Sequence, residues 1–172
     1  MKILIGTPIH VCKDYSMERW MENVAKLQKE YPADLLMVDN SPGLDYGKKV
    51  KGYCIKYGIK NYRIEHLELD QKLSSDMRIN VAQEVIRRKM LSGDYDCWFS
   101  WECDQIIPAN TLDELIRLME MTDCEMALHN CWARGNSEAL MTDMGCTLIK
   151  KECLGKSCFL PEANGNISLN ES

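Results

Sequence analysis

Asp34-Leu35-Leu36-Met37-Val38-Asp39-Asn40-Ser41-Pro42-Gly43 is the segment from which the fold can be read. Residues 35–38 are all apolar and show no alternation. Strands buried on both faces look like this, as in parallel sheets covered by helices. Asp39 to Gly43 is a strong turn signal placed directly after the run.

Upstream, Lys2-Ile3-Leu4-Ile5-Gly6 reads as a first strand that Thr7-Pro8 ends. Asp14 or Ser16 then serves as an N-cap. Met17, Trp20, Met21, Val24 and Leu27 recur at helical spacing, which predicts an amphipathic helix over 16–30, stopped by Tyr31-Pro32. Downstream, Tyr46, Val50, Tyr53, Cys54 and Tyr57 mark a second helix closed by Gly58. Residues 62–69 alternate weakly and read as a strand. Ser74 to Leu91 is a helix with Met77, Val81, Val85 and Ile86 on its apolar face. The aromatic run Asp96 to Trp101 is the next strand. Thr111-Leu112-Asp113-Glu114 has capping-box spacing and opens a helix through Met121. Glu125 to His129 and Cys146 to Lys150 are the last strand candidates.

Strands alternating with helices predict an α/β fold: a mostly parallel sheet with helices on both faces. Ligands in such sheets bind beyond the carboxyl ends of strands. Attention therefore falls on the loops after Gly6, Val38, Leu69 and Trp101.

The 172 residues favour one domain, and a chain of this size buries about 70% of its unfolded surface without help from disulfides. The net charge of −5 argues against a general nucleic-acid binder, because phosphate neutralisation needs a basic surface. No apolar run reaches the roughly 18 residues needed to span a bilayer, and residues 2–6 are too short for a signal-peptide core. The chain is read as cytoplasmic. In that setting Asn166-Ile167-Ser168 and Asn170-Glu171-Ser172 match the N-glycosylation pattern by chance. The 9 cysteines form no CxxC pair and several lie in strand-like runs, so they are read as reduced structural thiols. His10, His66 and His129 lie far apart and are assigned structural or surface roles.

The sharpest chemical feature is Trp101-Glu102-Cys103-Asp104-Gln105, at the end of an apolar strand and before Pro108. Residues two apart on a strand point the same way, so Glu102 and Asp104 are expected to present two carboxylates from one sheet edge. Such hard oxygen donors suit Mg²⁺ or Mn²⁺, which complete their shell with water and phosphate oxygens. Asp39 ends a neighbouring strand, where a carboxylate can accept hydrogen bonds from a base or ribose. Arg78 and Asn80 fall in the first turns of a helix, whose free N–H groups and positive end suit a diphosphate. GxGxxG, GxxxxGK[ST] and GxSxG are all absent, which argues against a dinucleotide fold, a P-loop NTPase and an α/β-hydrolase.

Together these segments resemble the GT-A glycosyltransferases, in particular family 2-like members. The resemblance covers residues 1–154. Residues 2–8 look like the first strand and its Pro-containing turn, and Leu36 to Ser41 like the second strand with its base-holding Asp. Met77-Arg78-Ile79-Asn80-Val81-Ala82 looks like the R-x-N-x-A segment. Trp98 to Pro108 looks like the strand carrying the DxD motif, with Glu102 in place of the first Asp. Met144 to Lys151 looks like the later G-C-x-L-I-R strand.

The resemblance implies a single-domain, Rossmann-like GT-A domain over 1–160 and a short flexible tail over 161–172. It implies transfer of a sugar, with inversion, from a nucleotide-diphosphate-sugar donor to an acceptor hydroxyl on a saccharide, lipid or protein. Thr7, Pro8, Asp39, Arg78, Asn80, Glu102 and Cys103 would bind the donor, and Asp104 with Glu102 would hold Mn²⁺ or Mg²⁺. The family's general base comes from a downstream acidic motif, and here only Glu162 and Glu171 remain as candidates. Two other readings compete. One is a non-catalytic or degenerate nucleotide- or sugar-binding module of the same fold. The other is a sugar nucleotidyltransferase, whose Gly-rich first loop is not matched by Gly6-Thr7-Pro8-Ile9-His10.

Overall fold

The computed structural model describes residues 1–128, 144–156 and 158–160. Among them are strands β1 (Ile3–Ile9), β2 (Asp34–Asp39), β3 (Tyr62–His66), β4 (Cys97–Trp101), β5 (Met126–Leu128) and β6 (Cys146–Lys150). The helices are α1 (Asp14–Glu30), α2 (Asp45–Lys56), α3 (Ser75–Ser92), α4 (Thr111–Thr122) and the short α5 (Lys151–Leu154), with a 3-10 turn over Val11–Lys13. His129, Glu162, Glu171, the two Asn-x-Ser matches and the tail 161–172 lie outside the described residues.

The strands form one sheet in the order β3-β2-β1-β4-β6-β5. β1 to β4 run parallel, while β6 is antiparallel to both β4 and β5. Alternate residues of each central strand feed opposite cores. Ile3, Ile5, Leu35, Met37, Cys97 and Phe99 pack beneath α1, α2 and α4. Leu4, Leu36, Val38 and Trp98 pack against α3 and α5. The continuous apolar run 35–38 is thus covered on both faces, as its composition predicts.

The order of the strands creates a switch point. The chain steps from β1 outward to β2 and β3, then returns to lay β4 on the other side of β1. In open α/β sheets ligands bind at such a point, outside the carboxyl ends of the strands.

Several boundaries differ from expectation. β1 does not end at Gly6 but runs through Thr7 and Pro8 to Ile9, paired with β2 as far as Asp39. Its pairing with β4 stops at Gly6 opposite Ser100, so Pro8, which lacks an N–H, sits where one side of the strand carries no ladder. β3 ends at His66 rather than Leu69, because the chain turns after it, with Leu73 N–H on Asp70 O at 3.0 Å. Neither Asp14 nor Ser16 caps α1. Lys13 holds that position without a side-chain bond, and Ser16 Oγ donates back to Lys13 O. Asn110, not Thr111, precedes α4, and its Nδ2 donates to Glu114 Oε1 at 2.7 Å. Ser74 does cap α3, accepting from Met77 N–H at 3.2 Å. The described cysteines are all free thiols, and Cys54, Cys97, Cys103 and Cys146 are buried.

Candidate functional site

The divergence of β1 from β4 beyond Gly6 opens a crevice. Thr7 ties the two strands at its start without lining the cavity: the side chain is fully buried and Oγ1 donates to Trp101 O at 2.6 Å. Above it lies a cavity of about 160 Å³ whose lining includes Pro8, Asn40, Arg78, Glu102, Cys103 and Asp104. Ser75 and Arg78 bring the first turn of α3 to the same cavity, so the positive end of that helix lies at its edge. A larger groove of about 580 Å³ lies elsewhere, lined by Lys2, Asp34, Arg63 and Tyr95. It sits by the starts of β1 and β2, away from the switch point.

Glu102 and Asp104 reach the cavity, but not as same-face residues of a strand. β4 ends at Trp101, and a turn follows in which Gln105 N–H donates to Glu102 O at 3.1 Å. Trp101 and Cys103 are drawn into the α1 core, where Trp101 meets Trp20 edge to face at 5.2 Å. That leaves the two acids on the cavity side.

Asp104 is engaged from the loop after β1. Lys13 Nζ forms an ion pair with Oδ2, and Tyr15 Oη donates to the same oxygen at 3.1 Å. Burial alone raises the Asp104 pKa, but the bond to Lys13 and its charge outweigh this and hold the carboxyl below its usual range. Burial likewise pulls the Lys13 ammonium down, and Asp104 more than restores it.

Asp39 is placed differently. Its carboxylate is fully buried and turned toward α2. Oδ1 accepts from Ser41 N–H at 2.9 Å, and Oδ2 lies 3.3 Å from His66 Nδ1. Gly47 leaves room for it, since a Cβ there would stand 3.4 Å from Oδ2. Asp39 therefore reaches the crevice through its neighbours. Asn40 lines the cavity, and Ser41 Oγ accepts from Val11 N–H at 2.8 Å, which ties down the first loop. Asn80, farther along α3, does not line the cavity.

Four residues that shape the site escaped the sequence reading. Lys13 ends the 3-10 turn after β1, and Tyr15 lies in the first turn of α1. Gln71 joins loops, its Nε2 donating to Asn40 O at 3.1 Å and its Oε1 lying 3.4 Å from His10 Nε2. Asn23 is a buried amide on α1 that clamps the turn after β4: Nδ2 donates to Ile107 O at 2.9 Å, and Oδ1 accepts from Ile107 N–H at 2.8 Å. A signal existed for Asn23 alone, a polar residue one place from Val24 on the apolar stripe of α1.

The donor set suits a hard divalent ion in kind, although not as a cage of protein ligands. Among the described residues no group of three or more His, Cys, Asp or Glu converges. Two carboxylates on one cavity beside a helix N-terminus is the arrangement Mg²⁺ and Mn²⁺ use when phosphate and water supply the remaining oxygens. Two acids are here balanced by two cations, Lys13 and Arg78. No helix among the described residues is long and apolar enough to cross a membrane.

With its switch-point crevice and this sheet order, the chain has the GT-A glycosyltransferase fold. Residues 1–349 of S. aureus TarS superpose with a TM-score of 0.61 at 14% identity, covering 90% of this chain and 48% of that one. The same protein in complex with UDP gives 0.58, again at 14% identity, with 90% and 48% covered. The glycosyltransferase GlyE of Streptococcus pneumoniae TIGR4 gives 0.58 at 14% identity, with 90% and 36% covered. The chain thus spans less than half the length of these solved structures. No protein-family model matches it, and no curated protein matches it by sequence.

Proposed function

We propose that the chain is a nucleotide-sugar glycosyltransferase domain whose donor site is the crevice between β1, β2 and β4. The observation that carries this reading is the meeting of Pro8, Asn40, Arg78, Glu102, Cys103 and Asp104 on one cavity at the switch point of the sheet. The shared fold with GlyE, and with TarS in complex with UDP, adds to it.

In this reading the end of β1 with Thr7 and Pro8, the loop that follows it and the Asp39–Ser41 turn border the nucleobase. Asp39 acts by holding Ser41, and Ser41 holds Val11. Arg78 and the α3 N-terminus border the diphosphate, where fixed N–H donors stabilise charge as it grows on the leaving group, and Asn80 stands behind them on α3, outside the cavity lining. Glu102 and Asp104 hold Mn²⁺ or Mg²⁺. When bound, the ion supplies Lewis-acid neutralisation of the diphosphate. An acceptor hydroxyl, on a saccharide, lipid or protein, attacks the anomeric carbon with inversion. A carboxylate takes its proton, and the family 2-like pattern leaves Glu162 and Glu171 as candidates for that base. The cytoplasm is the proposed location.

The engagement of Asp104 by Lys13 and Tyr15 favours one rival, a binding module that takes up nucleotide without turnover. Release of nucleoside diphosphate from UDP-, GDP- and TDP-sugars, with and without Mn²⁺, separates the two. A transferase shows slow Mn²⁺-dependent donor hydrolysis that Asp104→Ala abolishes. Full activity in Asp104→Ala ends the assignment of that residue, and binding without hydrolysis selects the rival.

A further inference from the structure

We infer that Lys13 is an internal cation that occupies Asp104 and makes divalent-metal binding depend on a nucleoside diphosphate. This rests on the donor-site reading above and assigns a role to a residue outside the carboxylate motif.

Four observations carry it. Lys13 Nζ sits on Asp104 Oδ2, the oxygen that also takes the Tyr15 hydroxyl. The two partners are unequally free: the Asp104 side chain is 9% exposed, and that of Lys13 is 36% exposed. The Lys13 backbone is fixed, with its N–H on His10 O at 2.9 Å and the turn capped by His10 Nδ1 accepting from Cys12 N–H at 3.1 Å. A lysine so placed keeps its Cα still while its flexible stem swings the ammonium. Lys13 also lines the cavity shared by Arg78 and the start of α3, so its ammonium is within the space proposed for the diphosphate.

A divalent ion cannot take Asp104 Oδ2 while the ammonium rests on it, because like charges at that spacing repel. Binding of metal alone therefore breaks the ion pair and leaves Lys13 without a partner. Metal arriving with a nucleoside diphosphate breaks the same pair but gives Lys13 a phosphate oxygen to hold. The two ligands are then positively coupled, and the coupling is reciprocal: each strengthens the other by the same factor. Lys13 enters the donor complex as a phosphate partner and leaves the free site as a guard.

The test is titration of free Mn²⁺ by electron paramagnetic resonance on the full chain, with and without UDP. Lys13→Gln removes the competing charge. It should bind Mn²⁺ without nucleotide about tenfold more tightly than the wild type, and the strengthening by UDP should shrink by a similar factor, a size usual for coupled sites. Lys13→Arg keeps the charge in a fork that grips a carboxylate better, so it should bind Mn²⁺ alone no more tightly than the wild type. Equal Mn²⁺ affinity in wild type and Lys13→Gln overturns the inference and leaves the metal site standing. Tighter binding by Lys13→Arg also overturns it. Failure of every variant to bind Mn²⁺, even with UDP, overturns both the inference and the metal-dependent reading.

Discussion

Arg78 donates from Nη1 to the backbone carbonyl of Gln71 at 2.9 Å, and Gln71 in turn donates to Asn40 O at 3.1 Å. One guanidinium thus holds the loop before α3 against the turn after β2. Its Nε is buried with no hydrogen-bond partner among the described residues, and the residue lines the cavity. Arg78→Ala should weaken UDP binding about tenfold or more, the effect of losing roughly 1.4 kcal/mol. Lysine should not rescue it, because a single ammonium cannot hold the loop and serve a phosphate together. Calorimetric titration of UDP into each variant checks this.

Asn23 links α1 to the turn that carries the acidic pair. Asn23→Leu should cost about 1–3 kcal/mol in urea unfolding, because Ile107 N–H and C=O are left buried without partners. The same change should loosen Glu102 and Asp104 and lower Mn²⁺ affinity. Loss of stability with unchanged Mn²⁺ binding would separate the clamp from the site.

Gly6 stands where the crevice begins. A Cβ there would lie 2.6 Å from Trp98 Nε1 and also strike Ile86, and the same indole N–H donates to Gly6 O at 3.0 Å. Gly6→Ala should destabilise the domain by about 1–3 kcal/mol through overpacking. A lower urea midpoint at unchanged slope is the expected result.

Glu84 on α3 is 1% exposed and accepts from Arg87 Nε and Nη2 at 2.8 and 2.9 Å and from Arg88 Nε at 3.0 Å. Burial pushes its pKa up, but the two arginines and Phe159 N–H bring it from 4.5 down to about 2. Because the folded value is the lower one, this carboxylate stabilises the fold fully above pH 4.5 and loses that effect as pH falls toward 2. The contribution is on the order of 2–3 kcal/mol at neutral pH. Glu84→Gln should be less stable than the wild type at pH 7, and the gap should narrow on acidification to pH 3, as followed by urea unfolding at each pH.

Residues 35–38 announced a doubly covered sheet because burial on both faces leaves a continuous apolar record, and the aromatic run ending at Trp101 marked another strand. The helical stripes of α1 and α2 were equally plain. The extension of β1 through Pro8 was not, since a proline reads as a break unless the neighbour is known to have dropped away on one side. Glu102 and Asp104 were legible as a pair, but their geometry was not, because nothing local says that the strand stops at Trp101. Lys13, Tyr15 and Gln71 act through partners distant in sequence, and a solvated lysine or glutamine has the same local pattern. Asp39 was visible as a strand-end carboxylate, whereas its burial against His66 and Gly47 depends on β3 and α2 packing beside it.

Calorimetric titration of UDP into the wild type and Asp104→Asn, each with and without Mn²⁺, tests the donor crevice most directly. We expect saturable binding of one UDP per chain by the wild type, strengthened by Mn²⁺, and loss of that strengthening in Asp104→Asn. Absence of binding by UDP, GDP and TDP alike in the presence of Mn²⁺, or an undiminished Mn²⁺ effect in Asp104→Asn, would refute it.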